Sequence, residues 1–470
     1  MVRARGNEIE MTDWPYIIPL TYRDPLEAFA AFAGDTVSVF LDSAAEAGGR
    51  GRYAYIATDP YRVITAAESG DPFADLEGAL RSVRIRNDPR IPLFQGGAAG
   101  FLGYELGRHL EQLPDPKGGL DIPDMVLGLF DTVAAFDTLT GKAWVIAQDI
   151  ADDRPAKADR AKAMAKRIDG ARPLGPVDWS AIGHWTADLS RAEYESMVSR
   201  VIEYIHAGDI FQANVTQRLL ADLPSGLTPF MLYRRLRALS PAPFGAYLGL
   251  GDTSILSASP ERFLSLDAEG YAVTRPIKGT RPRGSTPDDD KALARELMDS
   301  EKDQAENLMI VDLLRNDLSR VCRLGSVGVT ELAGLESFAN VHHLVSEVRG
   351  TLFPHLGPVD LLRATFPGGS ITGAPKIRAM EIINELESVR RGPYCGAIAW
   401  IGFDGAMDSS IVIRTLVVRG GRVAAQAGGG IVADSQPSEE FDETMDKAWP
   451  LLQSLDPGDL AREQARKQAQ

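Results

Sequence analysis

Residues 409–430 read SSIVIRTLVVRGGRVAAQAGGG. Two apolar, β-branched runs flank Gly420-Gly421, which predicts a hairpin on a two-residue turn with Arg419 facing Arg422. The same register places Arg414 opposite Ala427, one step from Gly428-Gly429-Gly430. Three glycines ending a strand let a ligand approach the backbone, and an arginine beside them suits a carboxylate. A surface arginine next to a flexible loop is the plainer alternative. Outward from this hairpin, strands and helices mix without strict βαβ alternation, so the expected class is α+β.

The chain has 470 residues, 44% hydrophobic and 24% charged, which is a globular composition. Its 65 acidic and 50 basic side chains give a net charge of −15, a poor surface for phosphate backbones, so no nucleic acid partner is expected. Two cysteines, Cys322 and Cys395, cannot build a disulfide framework or a zinc site. No apolar run nears the ~18 residues of a membrane span. The N-terminus, Met1 to Trp14, carries Glu8, Glu10 and Asp13 and no secretory apolar stretch, so a cytoplasmic location is expected.

Three regions are expected: 15–150 with short strands such as Val37–Leu41, Met125–Ala134 and Ala143–Ala147; a charged, Ala/Pro/Gly-rich linker at 151–180; and a more regular region at 181–455. In the last, Ser190 and Glu193 have capping-box spacing, and Gly208 sits where a helix should stop. One long helix is predicted from near 290 to Arg320, another from Pro375 to about Val389, and a last from Pro437 to Leu452. Residues Arg462 to Gln470 are expected to fray.

Several side chains are candidates for chemistry. Glu440, Glu443 and Lys447 share one helical face. Glu306 precedes Ile310 and Leu313 on an apolar stripe, where a carboxylate must be paired, protonated or cation-bound. Carboxylates offered from two helices are how Mg²⁺ is commonly held, although an ordinary Glu443–Lys447 salt bridge explains part of the pattern equally well. Lys278 lies in TRPIKGTRPR (274–283), with Thr280 two positions on; its cationic neighbours would favour a nucleophilic amine, unless the loop is merely solvated. Glu261, about one hairpin earlier, suits a general acid or a plain pair with Arg262. The segment GGSITGAPK (368–376), containing Ser370, opens a helix without being a Walker loop. His342-His343 sits in an apolar strand, where a satisfied buried histidine is the common outcome.

Read together, SPERF, TRPIKGTRPRG, DQAENLMIVDLLRNDLSRV, VHHLVS, FPGGSITGAPKIRAMEIINELE, RGPYCGAIAWIG, SSIVIRTL and AGGGIVADSQPSEEFDET resemble, in this order, the chorismate-utilising enzymes. That group includes anthranilate synthase component I, aminodeoxychorismate synthase component I and isochorismate or salicylate synthases. The likeness is dense over residues 180–455. It continues upstream, where Leu41-Asp42-Ser43 and Gly51-Arg52-Tyr53 resemble a tryptophan-pocket region, as does Ser240-Pro241-Ala242-Pro243-Phe244. The resemblance implies a large β-sandwich core flanked by helices, Mg²⁺, and a chorismate pocket. By motif position it implies Glu306 and Glu443 as Mg²⁺ ligands with Glu440 helping. Tyr394, Arg414 and the Gly428–Gly430 backbone would hold substrate carboxylates, with Ser370 and Lys447 lining the pocket. His343 matches a residue used when pyruvate is expelled, and a tryptophan site would involve Ser43, Arg52, Tyr53 and Pro241.

The form PIKGT, with Lys278, resembles the aminodeoxychorismate synthase branch, whereas anthranilate synthases resemble PIAGT. The resemblance therefore implies amine transfer to chorismate through a covalent Lys278 intermediate, with Glu261 as acid, in the route to 4-aminobenzoate and folate. Neither cysteine has the setting of a glutaminase nucleophile, so ammonia is expected from a separate glutamine amidotransferase subunit, with an aminodeoxychorismate lyase acting downstream. The alternatives are an anthranilate synthase component I, an isochorismate or salicylate synthase, and a non-catalytic tryptophan-binding subunit.

Overall fold

The computed structural model describes residues 13–45, 51–66, 70–337 and 341–458. Most of the N-terminal segment read above, and the stretch 462–470, lie outside the described residues. Two antiparallel sheets carry the fold. A 12-stranded sheet runs from Tyr16–Leu20 at one edge, through Val37–Asp42, Phe244–Leu250, Thr253–Ser259, Thr415–Arg419 and Arg422–Ile431, to Gln212–Asp222 and Gly373–Ala374. A 10-stranded sheet runs from Ile277–Pro282 and Val341–Thr351, through Arg262–Leu266, Met407–Ile411 and Ala397–Gly402, to Gly97–Leu102, Met125–Phe130 and Arg62–Thr65.

Apolar side chains alternate so that one face of each sheet meets the other. Val39, Tyr55, Phe101, Leu248, Ile255, Ile398 and Trp400 fill the space between them. The outer faces are covered by helices: Lys157–Asp169 and Pro229–Leu239 on one sheet, Pro72–Arg81 and Glu301–Ser319 on the other. This is the helix-flanked β-sandwich of the α+β class expected from the sequence. Residues 151–180 hold the helix Lys157–Asp169 and then an irregular stretch, and both sheets take strands from either side of it.

The capping box at Ser190–Glu193 forms, and Gly208 ends its helix at φ 83°. Three expected elements are broken in two. The helix through 290–320 divides at Ser300, whose extended backbone ends Pro287–Asp299 and whose hydroxyl accepts the Asp303 N–H to start Glu301–Ser319. The run 125–134 turns at Asp131 into two strands, Met125–Phe130 and Thr132–Asp137, which belong to different sheets. The run 410–419 also changes sheet. Met407–Ile411 lies in the smaller sheet and Thr415–Arg419 in the larger, and Arg414 takes a left-handed φ of 52° at the crossing.

Candidate active site

The crossing at Arg414 decides the site. The predicted hairpin register holds from Arg419↔Arg422 to Leu416↔Ala425. Arg414 itself leaves the ladder and is not opposite Ala427, because residues 412–414 are spent changing sheets. Strand Arg422–Ile431 therefore loses this neighbour just before its glycines. On the other edge, Gly428, Gly429 and Gly430 pair with Thr216, Val215 and Asn214. Asn214 and Thr216 direct their backbone groups away from the glycines, so the ladder bonds run through Val215 and Gly429. Gly428 and Gly430 are left with their polar groups on the open edge, and Lys447 Nζ donates to the Gly428 carbonyl there at 3.2 Å. A Cβ at Gly429 would crowd the Glu440 carboxylate at 3.0 Å.

Arg414, at the sheet crossing, makes no ion pair or side-chain hydrogen bond among the described residues. Burial lowers its pKa, and the neighbouring Tyr394 and Glu443 only partly oppose this. Tyr394 is buried, which pushes its phenol well above the usual range. A half-buried guanidinium, a neutral phenol and outward N–H groups together make a receptor for a carboxylate.

Strand Ile277–Pro282 forms a second wall. Its pairing with Val341–Thr351 slips between Lys278 and Thr280, where Gly279 has φ 74°. Lys278 Nζ donates to the Ser370 carbonyl at 3.3 Å. Burial depresses the Lys278 pKa, Lys447 adds to this, and Glu306 and Glu261 pull the other way. Glu261 is 6% exposed, and burial raises its pKa despite hydrogen bonds from Ser370 and Ile277 N–H and the nearby Lys278. Arg262 does not neutralise it, since Arg262 makes a two-pronged pair with Asp408 at 2.9 Å. A carboxyl whose pKa burial raises thus lies beside an amine whose pKa burial lowers. Past the Gly279 bulge, Thr280 Oγ1 and His343 Nδ1 pair at 2.9 Å. His342 is the satisfied buried histidine, held by Ser337 at 2.8 Å and Asp290 at 3.0 Å.

The carboxylates come from two helices, Glu301–Ser319 and Pro437–Leu455. Glu306 is half-buried, and its pKa is raised by burial, with Lys278 and Lys302 opposing and Asp303 and Glu440 adding. Glu440 is 4% exposed, accepts from Ser435 Oγ at 2.6 Å, and lies 3.9 Å from Lys302 Nζ. Burial raises its pKa too, against the Ser435 hydrogen bond. Glu443 makes the i, i+4 salt bridge to Lys447 at 2.6 Å, and this lysine outweighs burial to hold its pKa down. Among the described residues, no three His, Cys, Asp or Glu side chains are gathered closely enough to share a metal ion as they stand. Lysines occupy the gaps between the carboxylates.

The residues expected to bind tryptophan lie elsewhere. Ser43, Arg52 and Tyr53 line a cavity of about 260 Å³ between the sheets, together with Phe244, Trp400 and Asp408. Ser43 Oγ donates to the Tyr53 carbonyl at 2.6 Å, and Arg52 pairs with Asp137 at 2.6 Å. Pro241 is exposed at the end of its helix and does not line the cavity; Pro243, two positions on, does.

The motif reading overlooked Lys302, Ser435 and the Glu387–Arg391 pair. Only the last left a signal, an i, i+4 spacing, and it lies past the helix end at Leu386, where such spacing carries little weight.

The model of the chorismate binding enzyme family matches residues 39–453, and the chain belongs to that family. It is 43% identical over 395 residues to aminodeoxychorismate synthase component 1 of Salmonella typhimurium, covering 83% of this chain and 84% of that protein. It is 42% identical over 450 residues to anthranilate synthase component 1 of Streptomyces coelicolor, covering 92% and 86%. The crystal structure of anthranilate synthase component I from Streptococcus pneumoniae superposes with a TM-score of 0.73 at 32% identity, covering 95% of this chain and 94% of that one. The isochorismate synthase MenF of Escherichia coli shares the fold at TM-score 0.72 and 17% identity.

Proposed function

We propose that the chain is an aminodeoxychorismate synthase component I, converting chorismate and ammonia to 4-amino-4-deoxychorismate. The observation that carries this reading is the half-buried Lys278 amine beside the buried carboxyl of Glu261, both tied to Ser370. The Lys278 nitrogen bonds to the ring carbon as the C–O bond to the hydroxyl breaks, and Glu261 gives that oxygen its proton, so water leaves. Ammonia then bonds to the same carbon, the C–N bond to Lys278 breaks, and the surplus ammonium proton returns to Glu261. One hydroxyl is exchanged for one amine, and the enolpyruvyl ether is kept. Arg414, Tyr394 and the outward N–H groups of Gly428 and Gly430 hold the substrate carboxylates, with Lys447 and Gly429 shaping that wall. Thr280 and His343 flank the reacting ring.

Glu306, Glu440 and Glu443 fit a hard dication by their chemistry: all are carboxylates, and burial disfavours the charge on two of them. Mg²⁺ held there would displace Lys302 and Lys447 from the carboxylates and neutralise substrate charge. Glu306→Gln is expected to shift the Mg²⁺ concentration for half-maximal activity upward by about tenfold or more, the scale on which losing a charged partner acts; an unchanged titration would remove Glu306 from the metal site.

The ammonia comes from a separate glutamine amidotransferase subunit, and the product passes to a lyase that releases 4-aminobenzoate for folate. No helix among the described residues is long and apolar enough to cross a membrane, and a cytoplasmic location accords with a pathway of small soluble metabolites. The deciding test is mass spectrometry of the product formed by the pure chain from chorismate, Mg²⁺ and ammonium. A product that keeps the enolpyruvyl group and yields 4-aminobenzoate with a lyase supports the reading. Anthranilate with pyruvate would transfer the chain to the second reading, anthranilate synthase component I, which the 42% identical relative of that name supports.

A further inference from the structure

Arg391 and Glu387 form an ion pair at 2.6 Å with side-chain exposures of only 1% and 6%. Neither touches the presumed reacting groups, yet their remaining bonds reach three walls of the site. Arg391 donates to the Ile371 carbonyl at 2.9 Å, directly after Ser370. It donates to the Asn214 carbonyl at 2.5 Å, on the residue paired with Gly430. Glu387 accepts the N–H and the hydroxyl of Thr216, both at 3.0 Å, on the residue paired with Gly428. The Arg391 and Gly392 N–H groups are anchored on buried Glu105 at 3.0 and 2.9 Å, which fixes the segment leading to Tyr394. The guanidinium also lies over the Tyr104 ring at 4.6 Å.

The placement explains why an ion pair stands here. On this edge strand Gln212–Asp222 is paired at Gln212 and Ala213, beside Ala374 and Gly373, and again at Leu219 and Leu220, beside Ala187 and Thr186. Further on, Thr372 O takes the Asn214 N–H, and then Arg391 and Glu387 take the next backbone groups. The pair fills the gap in this edge between the two short flanking strands. Buried ion pairs are seldom superior to apolar packing for stability, so what this one supplies is geometry. We propose that Arg391 and Glu387 are positioning residues that set the distance between the Ser370 loop, the Gly428–Gly430 edge and Tyr394, and so the fit of the substrate. This rests on the reading of the site given above.

The test is the double variant Arg391→Met/Glu387→Leu, which replaces the pair by apolar side chains of similar size. The pure chain is assayed with chorismate, Mg²⁺ and ammonium, and its melting temperature is followed in parallel. The expected result is a folded protein melting within about 5 °C of the parent, with kcat/KM for chorismate reduced about 100-fold, the scale of a misplacement near 1 Å. Arg391→Lys keeps the charge but not the fork of donors, and is expected to lose activity similarly. Should the double variant not fold, the constants are read on Thr216→Val, which removes one hydroxyl from the network and should give a smaller change in the same direction. Unchanged kcat and KM in a folded variant would overturn the proposal, leaving a purely structural pair. Failure of the parent chain itself to bind or turn over chorismate would overturn the reading of the site and the proposal with it.

Discussion

Lys278→Ala is expected to lower formation of the amine-bearing, enolpyruvyl-retaining product by about 10³-fold or more, a barrier increase of about 4 kcal/mol. The alanine removes the nucleophile while leaving Glu261 buried with its pKa raised by that burial, and it leaves the receptor at Arg414 intact. Binding of chorismate, followed by calorimetry, should therefore change little. The opening of space beside the ring also admits external ammonia, so a trace of anthranilate-type product is compatible with the proposal. Full retention of the original product would exclude the covalent role. Glu261→Gln makes a useful companion, since it keeps the shape but cannot give up a proton.

Arg414→Met should act on the other half of the site. Arg414 has no ion pair to lose among the described residues, so its removal does not strand a buried acid. The substrate carboxylate would lose a half-buried, charge-assisted partner, which is expected to cost about 2–4 kcal/mol, or roughly 30- to 1000-fold in affinity for chorismate. The loss should show as a raised KM and a weaker calorimetric dissociation constant, with melting temperature unchanged or higher. A variant that binds chorismate as tightly as the parent would remove Arg414 from the receptor.

How much of this was legible from residue types varies with the distance over which each is decided. The helices were largely readable because their signals are local: Ser190 with Glu193, Gly208, Pro437. The hairpin register near Gly420-Gly421 was equally local, and it held for the four pairs beside the turn. It failed at Arg414 because the chain there switches from one sheet to the other, a choice made by the packing of distant strands. The same cause split Met125–Phe130 from Thr132–Asp137. The break at Ser300 was a local signal passed over, since a serine followed three positions later by Asp303 is a plausible N-cap. For the site, the motifs put Glu261, Lys278, Ser370, Arg414, Glu443 and Lys447 into one neighbourhood. They could not indicate that Lys302 would intrude among the carboxylates, or that Arg391 would complete a strand edge, because both depend on elements remote in sequence.

The interleaving of the two sheets has a consequence for how the protein is made. Val37–Asp42 needs Phe244–Leu250 as a neighbour, and Gly97–Leu102 needs Ala397–Gly402. A nascent chain that has emerged only as far as residue 180 therefore presents two unfinished strand edges with nothing yet synthesised to cover them. The second must wait for about 220 further residues, on the order of tens of seconds at roughly 5–20 residues per second of translation. Such non-local pairing slows closure of the native topology. The poor prospects of any fragment ending in the 151–180 stretch follow from the order in which the strands leave the ribosome.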